Sequence, residues 1–174
     1  MSYFSIPKNK ELTIKYPFLI PRNVFSDEVF ENYNYAYTLL NSMPIGWLNT
    51  FGEQMCEEIK NELIKINKLN DFRIEDIKEK YGTLRIETNF TTEGLEKIFE
   101  KYEELSMLTC IHCGKPTKYI TKDWINYICE ECAKKHTSCE KLTSNYIPSY
   151  VTYVNDNVVT QDAVYRDRML EQWK

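Results

Sequence analysis

Phe51, Met55, Ile59 and Leu63 recur every four residues, a spacing that lays one apolar stripe along a helix and predicts a long one over residues 44–67. Leu48, Cys56 and Ile66 widen the stripe, Ser42 is placed to cap it, and Pro44 suits a first turn where no amide hydrogen is needed. Glu57, Glu58, Lys60, Glu62 and Lys65 fall on the opposite face and read as a solvated surface. A second stripe, Leu95, Ile98, Phe99, Tyr102 and Leu105, predicts a helix over residues 92–108 with Thr91 or Thr92 as its cap. Between the two, the period shortens to two. Ile74 to Lys80 carries β-branched residues among alternating charges, and Leu84 and Ile86 alternate with Arg85 and Glu87. That pattern predicts a β-hairpin within residues 69–88, turning at Tyr81 and Gly82, with cross-strand pairing among Asp76, Lys78, Glu79, Lys80, Arg85 and Glu87.

The two ends are less periodic. Pro7, Pro17 and Pro21 restrict residues 1–35 to a short helix near Lys8 to Tyr16 followed by an extended arm. Tyr16 to Ile20 and Val24 to Phe30 are apolar enough that both are expected to pack on the rest of the chain. Near the other end, Val151 to Val154 and Val158 to Thr160 flank Asn155, Asp156 and Asn157, which predicts a second hairpin. A short helix is predicted between Asp162 and Trp173. The fold class is therefore α+β: two amphipathic helices flanking a β-hairpin, a small four-cysteine zinc-ribbon-like module, and a C-terminal hairpin and helix. The corresponding divisions are a core domain over residues 1–109, a zinc-binding module over 110–142 and a C-terminal piece over 143–174.

The chemistry is concentrated in the module. Cys110 and Cys113 form one C-x-x-C pair, Cys129 and Cys132 a second, and fifteen residues separate the pairs, the spacing of a zinc ribbon or a treble-clef-like site. Each C-x-x-C turn brings two sulfurs within reach of one ion, and Gly114 supplies the backbone freedom that the chain needs after such a turn. Ala133, Lys134 and Lys135 are expected to begin a helix whose N-terminal amides favour thiolate. Four protein ligands close a tetrahedron and leave no position for a reactive water, so the metal expected at Cys110, Cys113, Cys129 and Cys132 is a structural zinc. Lys115, Lys118, Lys122, Lys134 and Lys135 balance the charge of such a centre. Two alternatives stay open at this point: a dithiol redox role, and a ligand set that includes His112, His136 or Cys139. Cys56, on the apolar stripe, is expected to be buried.

Composition narrows the rest. The chain of 174 residues is 43% hydrophobic and 14% aromatic with five glycines, the make-up of a folded domain. Its formal charge of −4 is uneven: residues 51–109 hold fourteen acids against nine bases, and residues 110–142 six bases against four acids. Nothing is basic on the scale that duplex nucleic acid requires. Lys115, Lys118, Lys122, Tyr119, Trp124 and Tyr127 do interleave charge and aromatic rings, the composition of a single-strand binding surface. The competing reading is that Tyr119, Trp124 and Ile128 fill the module's small core. No apolar run of about 18 residues and no secretory leader pattern is present, so no membrane role and a cytoplasmic location are expected. Phosphate-binding glycine loops, nucleophile elbows and H-E-x-x-H motifs are missing, which argues against an enzyme.

Five segments carry a resemblance. Tyr16–Asn23 (YPFLIPRN), Met43–Trp47 (MPIGW), Phe51–Lys60 (FGEQMCEEIK), Ile77–Arg85 (IKEKYGTLR) and the C-x-x-C-G, Trp-Ile, C-x-x-C module resemble a family of small, mostly uncharacterised proteins encoded by phages and prophages of low-GC bacteria. The similarity runs over roughly residues 10–135. It implies a phage accessory protein acting in the bacterial host cytoplasm, and supplies no established activity or catalytic residues. Small phage proteins of this kind often counter host immunity, including as anti-CRISPR proteins. The expected function is therefore a non-enzymatic zinc-binding protein that binds a host protein and inhibits a CRISPR or other nuclease effector. The alternative is a nucleic-acid-binding regulator acting through Lys115, Lys118, Lys122 and Trp124.

Overall fold

The computed structural model describes residues 4–23, 25–122 and 124–142, together with the backbone of Thr152–Val154 and Asn157–Val159. Helix α1 spans Ile6–Lys15, with Ser5 accepting from the Lys8 amide at its start. A short 3-10 turn, Pro17–Leu19, follows. The long predicted helix is a composite of α2 (Ile45–Trp47), a π-turn (Leu48–Gly52) and α3 (Glu53–Lys65). Its entry is not capped by Ser42, which lies in a separate 3-10 turn, Leu39–Ser42; Pro44 stands at the cap position without a side-chain bond.

The π-turn precedes almost all of the four-residue repeat, which runs through the regular helix α3. A π-turn takes more residues per turn than an α-helix, so this one sets how Trp47 and Leu48 are turned relative to the stripe on α3. Trp47, Leu48, Phe51, Met55, Cys56, Ile59 and Leu63 are all buried. Ile66, beyond the helix end, is exposed.

Strands β1 (Ile74–Lys80) and β2 (Thr83–Thr88) form the predicted antiparallel hairpin, with Ile77 opposite Ile86 and Lys78 opposite Arg85. Tyr81 and Gly82 both have positive φ, 55° and 79°, as a two-residue turn that matches the strand twist requires. The charges pair in part as expected: Lys78 Nζ lies 2.7 Å from both Asp76 and Glu87, whereas Arg85 reaches Glu103 on the next helix. That helix, α4 (Glu93–Leu108), is capped by Thr92, whose hydroxyl accepts from the Leu95 amide. It buries Leu95, Tyr102, Leu105 and Ser106, packs on α3 and β2, and holds the hairpin through Ser106 Oγ, which accepts from the Leu84 amide at 2.9 Å.

A chain of rings, Tyr16 to Phe18 to Phe72 to Phe90, ties the N-terminal arm to the start of β1. The 16–20 segment packs as expected, with Tyr16, Phe18 and Leu19 buried; the following stretch does not, since Phe25, Val29 and Phe30 are exposed. The outer face of α3 is solvated but also knitted: Glu57 accepts from the Tyr16 hydroxyl at 2.7 Å and pairs with Lys15, and Glu58 pairs with Lys101 of α4.

The module follows α4 directly. Strands β3 (Tyr119–Thr121), β4 (Tyr127–Ile128) and β5 (Cys139–Lys141) form a sheet in the order β4-β3-β5, and α5 (Glu130–Ala133) follows β4. One cluster of buried apolar side chains runs from Leu12 to Ala133 and includes Cys110, Ile111, Ile128 and Cys129. Strands β6 (Thr152–Val154) and β7 (Asn157–Val159) pair antiparallel, as the sequence predicts. The helix expected between Asp162 and Trp173 lies outside the described residues. No helix among the described residues is long and apolar enough to cross a membrane.

Candidate metal centre

Helix α4 ends at Thr109, and the chain turns at once into the first cysteine pair. The turn closes on itself: the Cys110 amide donates to the Lys115 carbonyl at 2.7 Å and the Gly114 amide to the Cys110 carbonyl at 2.9 Å. Gly114 has φ 79°, a conformation that costs glycine little and other residues more. Thr117 ties the turn to the helix, its amide donating to the Leu108 carbonyl and its hydroxyl to that of Met107. These are carbonyls the helix cannot satisfy internally.

The second pair sits on a helix start. Cys129 is the N-cap of α5 and Cys132 lies within its single turn. The helix thus begins between the two cysteines and not after them. Of the two arrangements the spacing allows, a knuckle, a hairpin and a helix start correspond to the treble-clef-like one.

The four sulfurs converge. All lie within 4.8 Å of one another, with Cys113 to Cys129 at 3.5 Å and Cys113 to Cys132 at 3.7 Å. A tetrahedron of sulfurs about 2.3 Å from a central ion has edges of about 3.8 Å, whereas a disulfide requires about 2.05 Å. All six cysteines are free thiols, and the spacing is that of ligands around a cation. These four residues could hold a metal ion.

The thiols share protons unequally. Burial raises those of Cys113 and Cys132 above the ordinary thiol value. Burial also acts against the charged form of Cys129, but the Cys132 amide and the neighbouring sulfurs more than offset it, so Cys129 is lowered. A cation that neutralises four thiolates removes this conflict, because metal binding displaces the protons.

Other candidate ligands stand apart from this group. His112 and His136 stack on each other with ring centroids 5.5 Å apart, and Cys139 directs its thiol at the Ala133 carbonyl, 3.7 Å away. Among the described residues, neither histidine nor Cys139 belongs to the mutually close set. Cys56 is fully buried in the core, where burial raises its thiol far above the ordinary range.

No protein-family model matches the chain, no curated protein matches its sequence, and no solved structure matches its fold.

What grips the centre comes from the core. The Gly46 amide donates to the Ile111 carbonyl at 3.0 Å, and the Trp47 indole donates to the Thr109 carbonyl at 3.0 Å. A side-chain carbon at Gly46 would overlap the Cys110 carbonyl oxygen and lie 2.8 Å from the Gly114 nitrogen, and one at Gly114 would overlap the Thr50 hydroxyl. On the other side the Ile111 amide donates to Tyr127, and Gly82 in the hairpin turn leaves only 3.0 Å for a carbon against the Ile125 carbonyl and the Tyr127 ring. Gly46, Thr50 and Gly82 were not singled out as site residues from sequence. The two glycines had a signal in the MPIGW and KYGTLR segments, where each stands against another stretch of backbone; Thr50 lies outside both segments.

The module's surface differs from the expectation at one ring. Ile120, Tyr127 and Ile128 fill its small core, whereas Trp124 is 64% exposed. The indole donates to Glu79 of β1 at 3.1 Å, so it is held at the junction with the hairpin beside Ile125 and the 66% exposed Tyr81. The lysines face carboxylates: Lys115 pairs with Glu131 at 2.6 Å, Lys118 with Glu130 at 3.5 Å and Lys122 with Glu140 at 3.5 Å. Lys115 is held above its ordinary pKa first by Glu131, and only secondarily by the Cys113 and Cys129 thiolates.

Proposed function

We propose that this chain is a non-enzymatic, zinc-braced protein that docks on another protein, and that in the bacterial cytoplasm it acts for a phage by inhibiting a host nuclease effector. The observation that carries the docking reading is the ridge formed by Tyr81, Trp124 and Ile125. All three are exposed, the Trp124 indole is held by its bond to Glu79, and the contact of Gly82 with the Ile125 carbonyl and the Tyr127 ring ties the hairpin turn to the module. Tryptophan and tyrosine presented rigidly lose little entropy on binding and dominate the energetics of protein interfaces.

Zinc is the metal that four thiolates in a closed tetrahedron suit best. With no open coordination position it serves as a brace and not as a catalyst. The charge arrangement favours a protein over a nucleic acid as partner, since Lys115, Lys118 and Lys122 already face Glu131, Glu130 and Glu140 and have little charge left to displace counterions from phosphates. The phage, host and nuclease parts of the proposal rest on the resemblance of the five segments. Affinity capture of the tagged chain from a bacterial host, with and without nuclease digestion, tests it. A stoichiometric protein partner that survives digestion and is lost with Tyr81→Ala/Trp124→Ala is expected. Capture that depends on intact RNA or DNA would overturn it in favour of nucleic-acid binding.

A further inference from the structure

Phe25 is 101% exposed, with Val29 and Phe30 exposed beside it on the same short stretch. Apolar side chains so close in sequence ordinarily collapse onto the nearest core. Here the backbone holds them out. Arg22 and Val29 form an antiparallel bridge. Within it the Asn23 amide donates to the Glu28 carbonyl and the Asp27 amide to the Asn23 carbonyl, both at 2.9 Å. The Asn23 side-chain oxygen accepts from the amides of Phe25 and Ser26, and Arg22 Nη1 donates to the Asp27 carbonyl at 2.7 Å. Arg73, at the entrance to β1, adds an ion pair to Asp27 at 3.8 Å. The loop is closed at its base and anchored to the hairpin, with Phe25 at its tip.

The rim is acidic. Glu28 and Glu31 are exposed and, among the described residues, neither has an ion-pair partner. We infer that the 22–29 loop is a docking element in which Phe25, flanked by Val29 and Phe30, enters an apolar pocket on a partner protein whose edge is lined by lysine or arginine. Charge decides between occupants. A second copy of this chain carries a net charge of −4 and its module lysines already pair with Glu131, Glu130 and Glu140, so it offers the rim little free positive charge, and an anionic bilayer offers none. A basic protein surface of the kind that handles nucleic acid is complementary. The element is separate from the Tyr81 and Trp124 ridge and does not depend on it.

The test uses the full zinc-loaded chain and a fluorescein-labelled amphipathic helical peptide of leucine and lysine, followed by anisotropy. The matching leucine and glutamate peptide, phosphatidylserine vesicles and self-association by sedimentation serve as the other arms. The expected result is binding of the lysine peptide that weakens about tenfold in Phe25→Ala and falls comparably in Glu28→Lys/Glu31→Lys. Binding should also weaken as salt rises from about 0.05 to about 0.3 M, with no change in Tyr81→Ala/Trp124→Ala. Circular dichroism of the Phe25→Ala protein should match the parent, since this side chain buries nothing. Equal binding by Phe25→Ala overturns the inference. So does a preference for the glutamate peptide, or Phe25-dependent dimerisation or vesicle binding. None of these outcomes touches the ridge, whose own failure would be read in the capture experiment.

Discussion

A single carbon separates a working contact from a broken one at Gly46. Its backbone lies against the Cys110 carbonyl and the Gly114 nitrogen, so Gly46→Ala must push the first cysteine pair away from the core. The expected loss is about 3 kcal/mol, the upper range for overpacking, visible as a lower midpoint in urea unfolding together with easier zinc release to a chromophoric chelator. Cys113→Ser and Cys129→Ser remove a thiolate each, and both should release the metal and lower the melting temperature. Trp124→Ala, by contrast, removes an exposed ring and its bond to Glu79, and should lower the melting temperature by about 2–4 °C without releasing metal. Glu104 gives a signature in pH. Burial, reinforced by Glu100 and Glu103, raises its carboxyl from 4.5 to about 7. The folded chain therefore keeps a proton that the unfolded chain gives up, and stability at this position declines as pH rises from 4.5 to about 7 and stays low above it. Glu104→Gln should raise the melting temperature relative to the parent at pH 8 and have little effect at pH 5; an equal shift at both values would contradict the assignment.

At the scale of elements, periodicity carried the reading where a single face is buried. Helix α4 and its Thr92 cap, the β1–β2 hairpin and its Tyr81-Gly82 turn were legible because a stripe or an alternation, bounded by turn residues, admits few other arrangements. Thr92→Ala should cost about 1 kcal/mol without releasing metal, which separates helix stability from the centre. The α2–α3 run was legible as helix but not as an interrupted one, because the four-residue repeat that announces the stripe lies on α3 and reads the same whether or not a π-turn precedes it. The 25–30 stretch was misread as packing because apolar composition does not encode direction: the Asn23 and Arg22 bonds that hold Phe25 outward depend on the folded loop. The four cysteines that come together were legible from spacing alone. The residues that grip them, Gly46, Thr50 and Gly82, lie far away in sequence and become neighbours only when α2 and the hairpin turn close on the module.

Taken as a whole molecule, the four-cysteine cluster is part of the core and not an appendage. Cys110, Ile111, Ile128 and Cys129 belong to the same buried cluster as Leu12, Trp47 and Leu105, and Trp47 and Gly46 bond directly to the knuckle. If zinc sits there as proposed, removing it with a strong chelator should lower the melting temperature of the entire chain in one transition, as judged by tryptophan fluorescence and far-ultraviolet circular dichroism together. The proposed docking ridge of Tyr81 and Trp124 spans the same junction, so on that proposal chelation should weaken partner capture as effectively as removing the rings. X-ray absorption at the zinc edge of the purified chain tests the central claim most directly. One zinc per chain with four sulfur neighbours at about 2.3 Å is the predicted result. An absence of zinc, or a first shell containing nitrogen or oxygen, would contradict it.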